Sequence, residues 1–164
     1  MSITTDGPMT ETGLTSSFER EIPSDFAVGK QLIDELLVEL GKLDWMEPDV
    51  FAVHLAVEEA LVNAIKHGNQ NDEDKKVFFS VNATPSSVRI KIVDEGSGFD
   101  PGEVPDPTDD DNLEVPSGRG LMLMRSFMSS VVFNATGNEV VMEKRIGEHD
   151  EDEHDEDEHD EDGD

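Results

Sequence analysis

The hydrophobic and polar positions change period several times along the chain. SFEREI (17–22) alternates apolar and polar residues, which predicts a short strand. Apolar residues at Phe26, Val28, Leu32, Ile33, Leu36, Leu37 and Leu40 then follow helical spacing. The preceding Pro-Ser-Asp supplies a helix start with Ser24 or Asp25 as N-cap, and Gly41 marks the end. A second helix is predicted from about Asp49 to His67, with Pro48 near its first turn and Gly68 as its stop. Its apolar stripe is Val53, Val57, Ala60, Leu61 and Ala64. VFFSVNA and VRIKIVD are β-rich runs joined by TPSS, a hairpin signal. GLMLMRSFM reads as a helix entered through Gly-x-Gly, and SVVFNA and EVVMEKRI form a second hairpin across TGN. The order strand, helix, helix, two strands, helix, two strands predicts an α+β two-layer sandwich. Its sheet is mixed but mostly antiparallel, with the helices on one face.

Three segments fall outside this pattern. Residues 1–16 are rich in Thr, Ser and Gly and read as a flexible lead-in to a single domain spanning 17–147. Residues 95–117 carry four prolines and many aspartates, and a loop of that length suits a mobile lid. Residues 148–164 repeat EHDED three times. A run of like charge without apolar residues does not offset its ordering entropy, so a disordered, solubilising tail is expected. His149, His154 and His159 recur there among carboxylates, which leaves weak divalent-metal binding as the alternative reading.

Charge and composition narrow the function classes. The formal net charge is −28, and the tail holds 13 of the 40 acidic residues and no basic one. The remaining 27 acids and 12 bases still leave the body at −15, which repels phosphate backbones and argues against direct nucleic-acid binding. Cysteine is absent, which excludes disulfides, thiolate zinc sites and a cysteine nucleophile. No secretory signal and no apolar run of about 20 residues is visible, so a soluble cytoplasmic protein without membrane contact is expected.

Three stretches carry candidate chemistry. On the second helix, at about 100° per residue, Glu59, Asn63 and Lys66 share an arc roughly 60° wide, while Glu58 points about 100° away. A carboxylate base, an oxygen ligand for Mg²⁺ and a cation for phosphate fit that stack, as does a plain solvated face. In VDEGSGF, Asp94 ends a strand and Gly96 and Gly98 follow. Asp94 can accept a hydrogen bond from an exocyclic amine such as that of adenine, and the glycines allow close backbone approach. An ordinary turn after a strand reads equally well. In SGRGLMLM, Gly118 and Gly120 open a helix whose free N–H groups suit phosphate, although any helix entry can carry glycine. Trp45, Met122, Met124 and Met128 read as core or interface packing, and His67 as a polar cap near the pocket.

EALVNAIKHG, DEGSGF and GRGLMLM occur in this order, separated by about 30 and 25 residues. With these motifs the chain resembles the GHKL ATPase superfamily over about 17–146, as its N, G1 and G2 boxes. The Glu four residues before Asn63 is similar to that of the bacterial anti-sigma-factor serine/threonine kinases, small members of that superfamily. The resemblance implies a Bergerat ATP-binding fold and a Mg-ATP-dependent serine/threonine protein kinase. Such a kinase binds a sigma factor and phosphorylates an anti-sigma-factor antagonist. The family commonly works as a dimer, so a homodimer is an expectation. Carried over, Glu59 is the general base, Asn63 the Mg²⁺ ligand, and Lys66 a cation for the nucleotide. Asp94 reads adenine, Gly96 and Gly98 shape its pocket, and Gly118, Arg119, Gly120 and Leu121 meet the phosphates through backbone N–H groups. Two alternatives stay open: a nucleotide-responsive switch protein that transfers no phosphate, and a detached histidine-kinase-like ATPase module.

Overall fold

The computed structural model describes residues 15–96 and 118–146. Residues 1–14 of the lead-in, most of the expected lid and the acidic tail lie outside them, and Ser16 already belongs to the first strand. In chain order the elements are β1 (Ser16–Pro23), α1 (Phe26–Lys42), α2 (Glu47–Val62), β2 (Lys76–Ala83), β3 (Ser87–Val93), α3 (Gly118–Phe127), β4 (Ser130–Phe133) and β5 (Glu139–Arg145). The five strands form one sheet in the order β1-β2-β3-β5-β4, and every described pairing is antiparallel. Helices cover one face, which gives the two-layer α+β architecture that the pattern predicts.

Alternation decides which side chains enter the core. Val77, Phe79, Val81 and Ala83 of β2 are buried, and so are Val88, Ile90 and Ile92 of β3 and Val140 and Met142 of β5. The register places Phe79 opposite Ile92, and Ile90 opposite both Val81 and Met142. The row continues into the helices through Leu36 and Leu40 of α1, Val53, Val57 and Leu61 of α2, and Met124 of α3. α2 packs against both α1 and α3, so it is apolar around much of its circumference. The Asp25 side chain caps α1 by accepting from the Ala27 N–H at 2.9 Å. Trp45 is buried in the α1–α2 connector, where its indole N–H donates to the Thr84 carbonyl at 2.8 Å. Met124 and Met128 are core residues, whereas Met122 is exposed.

One departure from the pattern concerns the second helix. The α-helical winding ends at Val62, and Asn63–Gly68 form a π-helical turn. The Asn69 N–H accordingly reaches five residues back to the Ala64 carbonyl at 2.9 Å. Gln70 and Asn71 then adopt left-handed φ values of 54° and 61°, and the chain turns towards β2. Apolar periodicity does not register the extra residue, because Ala64 and Ile65 remain buried in either winding.

Lys144 breaks the apolar alternation of β5. It occupies a core-facing position at 2% exposure, with its ammonium 3.7 Å from the Asp49 carboxylate in the first turn of α2. Removing one partner of a buried pair leaves an uncompensated charge, whereas removing both is far milder. Lys144→Met should therefore lower stability by about 3–5 kcal/mol, and Asp49→Leu combined with it should recover most of that loss. Urea titration of the three proteins checks this. A double variant no more stable than Lys144→Met would show that the pair is not coupled.

Candidate nucleotide site

A cleft of about 430 Å³, part of it open to solvent, lies at the C-terminal end of α2. Its walls come from four places. Ala60, Asn63, Ala64, His67 and Gly68 line it from α2 and the π turn, and Ile92 and Asp94 from the end of β3. Met124 of α3 and the β4–β5 hairpin from Phe133 to Val140 complete it.

Close backbone contact between two glycines builds the floor. A Cβ on Gly68 would lie 2.5 Å from the Asp94 carboxyl carbon, and one on Gly96 would lie 2.0 Å from the Gly68 carbonyl oxygen. Neither position admits a side chain without moving the backbone or Asp94. Gly68 is thus needed for approach to Asp94, in addition to ending the helix. The Gly96 N–H donates to the Asp94 carboxylate at 2.8 Å. Burial pushes the Asp94 carboxyl up to about 6, against the lowering effects of this N–H and of the nearby Lys75 ammonium. An acceptor kept largely out of water suits a directional contact with a bound amine.

The predicted residues are distributed unevenly around this cleft. Asn63 and Asp94 meet at its lining, and Gly96 packs behind Asp94. The Asn63 side-chain nitrogen is buried and has no hydrogen-bond partner among the described residues. Such a group stands ready for a ligand. Glu59 is half-buried one helical turn before Asn63. Burial raises its carboxyl above the ordinary carboxylate range, and the neighbouring Glu58 charge adds to the rise. Lys66 is exposed and does not line the cleft, whereas His67 does. The wider π turn carries residue i+4 over Asn63 in place of residue i+3. Gly118, Arg119, Gly120 and Leu121 form the first turn of α3. Gly98, the Arg119 side chain and residues 97–117 lie outside the described residues.

The β4–β5 hairpin carries no ligand signature in the sequence, because its Thr-Gly-Asn is fully explained as a turn. Its Asn138 exchanges backbone bonds with the end of β3: the Asp94 N–H donates to the Asn138 carbonyl at 2.9 Å. The Asn138 side-chain amide donates to the Asp94 carbonyl at 3.2 Å. Asn134 holds the hairpin by accepting from the Gly137, Asn138 and Glu139 N–H groups. Gly137 takes a left-handed φ of 81° in that turn.

Comparison with known proteins agrees with this geometry. Residues 26–144 match the histidine kinase-like ATPase domain family, and the chain belongs to that family. Membership in an ATPase family implies nucleotide binding, and the cleft is lined by Asn63, Asp94 and Met124 from the three motif stretches. The chain is 33% identical over 115 residues to an anti-sigma F factor of Geobacillus thermodenitrificans, covering 66% of this chain and 78% of that protein. An anti-sigma F factor of Clostridium beijerinckii is 33% identical over 112 residues, covering 65% and 78% respectively. Among solved structures, the RsbU and RsbW domains of a Mycobacterium tuberculosis protein match with a TM-score of 0.55 at 13% identity. That match covers 79% of this chain and 31% of the larger one, and it supports the fold. No described helix is long and apolar enough to cross a membrane.

The raised Asp94 carboxyl has a measurable consequence. The folded state holds this proton more tightly than the unfolded chain does. Stability from this group therefore falls as pH rises from about 4 to about 6, and above 6 the ionised carboxylate opposes folding. Asp94→Asn removes the charge and keeps an oxygen for the Gly96 N–H. Its melting temperature relative to wild type should be several degrees more favourable at pH 7.5 than at pH 4.5. Equal differences at both pH values would show that Asp94 titrates normally.

Proposed function

We propose that this protein is a Mg-ATP-dependent serine/threonine protein kinase that acts as an anti-sigma factor. It binds a sigma factor and phosphorylates an antagonist protein that competes for it. The observation carrying this reading is the pairing of a buried carboxylate, Asp94, with an unpartnered buried amide, Asn63, across one cleft of an ATPase-family fold. The two anti-sigma F factors at 33% identity support the biological role.

Within this reading each residue has a distinct task. Asp94 accepts from the adenine amine and orients the base. Gly96 and Gly98 leave room for it, and Met124 and Ile92 offer apolar packing. The N–H groups from Gly118 to Leu121 receive the phosphates at the start of α3. The Asn63 side-chain oxygen is a hard donor of the kind Mg²⁺ takes, so Asn63 would hold that ion alongside the phosphate oxygens. When bound, Mg²⁺ neutralises phosphate charge during transfer. Lys66 adds a cation that steers the triphosphate on its approach. Glu59 accepts the proton of the substrate hydroxyl, and its elevated carboxyl brings its basicity closer to neutral pH. The catalytic unit is residues 17–147, a cytoplasmic domain that works as a homodimer, with the tail as a solubilising appendage.

Calorimetry with ATP, with and without Mg²⁺, followed by phosphate transfer to candidate antagonists, tests the proposal. Glu59→Gln should bind Mg-ATP nearly as well as wild type and transfer phosphate at least about a hundredfold more slowly. Asn63→Ala should in addition lose the Mg²⁺ dependence of ATP binding. A wild type that binds no ATP at millimolar concentration overturns the reading. One that binds ATP and partners yet transfers nothing is a nucleotide-responsive switch instead.

A further inference from the structure

Asn69 is fully buried, with 0% exposure, and every polar group it owns is engaged. Its backbone N–H closes the π turn onto the Ala64 carbonyl, and its own carbonyl accepts from the Asp72 N–H at 3.0 Å. Its side chain reaches three separate segments. The amide nitrogen donates to the Ser24 hydroxyl oxygen at 2.8 Å and to the Lys76 carbonyl at 3.0 Å. The amide oxygen accepts from the Glu95 N–H at 2.8 Å. Ser24 extends the chain by donating to the Lys75 carbonyl at 2.7 Å.

The bond to Glu95 matters most, because Glu95 lies between Asp94 and Gly96. The Asp94 main chain is held from the other side by Asn138 through the two bonds already described. Two asparagines, one ending the π turn and one in the β4–β5 hairpin, thus grip the same turn from opposite walls of the cleft. The close contact of Gly68 with Gly96 sets how near the two segments lie, and the directional bonds from the two asparagines fix the orientation of the turn between them.

We propose that Asn69 is a positioning residue for nucleotide selection, acting through Glu95 to hold Asp94 in the orientation that accepts an adenine amine and rejects a guanine carbonyl. This rests on the ATP-site reading above and deepens it, because adenine and guanine differ at that ring position by donor against acceptor. An Asp at position 69 would bring a charge and no donors, and a Ser would be too short to bridge all three segments. Asparagine alone among small side chains supplies both kinds of group at this reach.

The experiment measures ATP and GTP affinity by calorimetry, and amide hydrogen exchange by mass spectrometry, on the full chain. Wild type, Asn69→Ala, Asn69→Ser and Ser24→Ala are compared. Asn69→Ala should lose ATP affinity about tenfold or more while GTP affinity changes little, so the ATP-to-GTP preference collapses. Exchange around Glu95 and Gly96 should accelerate while the β2 and β3 core amides stay protected. Asn69→Ser, with its smaller cavity, gives the same reading if the alanine variant does not fold. Ser24→Ala removes the buried hydroxyl but spares the Glu95 bond, so it should lower stability and retain the nucleotide preference. If wild type discriminates and both Asn69 variants discriminate equally well, the proposal falls and Asn69 is a structural residue only. A Ser24→Ala protein that loses the preference as fully as Asn69→Ala also overturns it. A wild type that binds neither nucleotide overturns the ATP-site reading itself, and the positioning role with it.

Discussion

The contact between Gly68 and the Asp94–Gly96 turn sets the geometry of the whole cleft. The two backbones approach so closely that a methyl group on either glycine would overlap its neighbour. That approach brings the end of β3 against the end of α2, two segments 26 residues or more apart in the chain. Everything chemically interesting follows from it: Asp94 is taken out of water, and Asn63 faces the same space. The hairpin between β4 and β5 can then close the far wall. Packing this tight between main chains has few degrees of freedom, which suits a site that must present one carboxylate in one direction.

Polar groups at the two ends of α2 play opposite roles. At its start, Asp49 meets Lys144 inside the core, a pairing of opposite charges that locks helix layer to sheet. At its end, the Asn63 amide nitrogen is left without a partner among the described residues, and Asp94 is buried with a carboxyl held near 6. These last features oppose folding. Sites of binding and catalysis commonly carry such local losses of stability, which the surrounding core offsets. Here the core is continuous from Leu36 of α1 through Leu61 of α2 to Met142 of β5, and it offsets the losses at that end.

The π turn links these two themes. An ordinary α-helix carried through to Gly68 would wind residues 63–68 more tightly and turn Asn69 away from its present bonds. The extra residue brings His67 to the cleft and sends the Asn69 side chain inward to Ser24, Lys76 and Glu95. Single π turns are a recognised feature of functional helices because they re-aim side chains without breaking the helix. In this protein the turn falls on Asn63–Gly68, within the stretch EALVNAIKHG that resembles an N box.

Much of this was readable from local chemistry. The β-rich runs VFFSVNA and VRIKIVD around TPSS mark a hairpin, and helical spacing from Phe26 to Leu40 defines α1, because each depends only on near neighbours. Three boxes in order were enough to name the superfamily, since their residue types and spacing survive without any knowledge of contacts. The π turn was not readable, because Ala64 and Ile65 satisfy the apolar pattern under either winding. Lys144 was hidden because its partner, Asp49, lies far away in sequence, and a lysine on a strand ordinarily reads as solvated. Asn69 and Asn138 looked like turn residues, which they are; their grip on the Asp94 turn comes from partners on other elements. Periodicity and motif spacing act over a few residues and are written into the chain directly. Burial of a charge, the winding of one turn and the partner of a buried amide depend on which distant segments meet, and those were settled only when the sheet and helices packed.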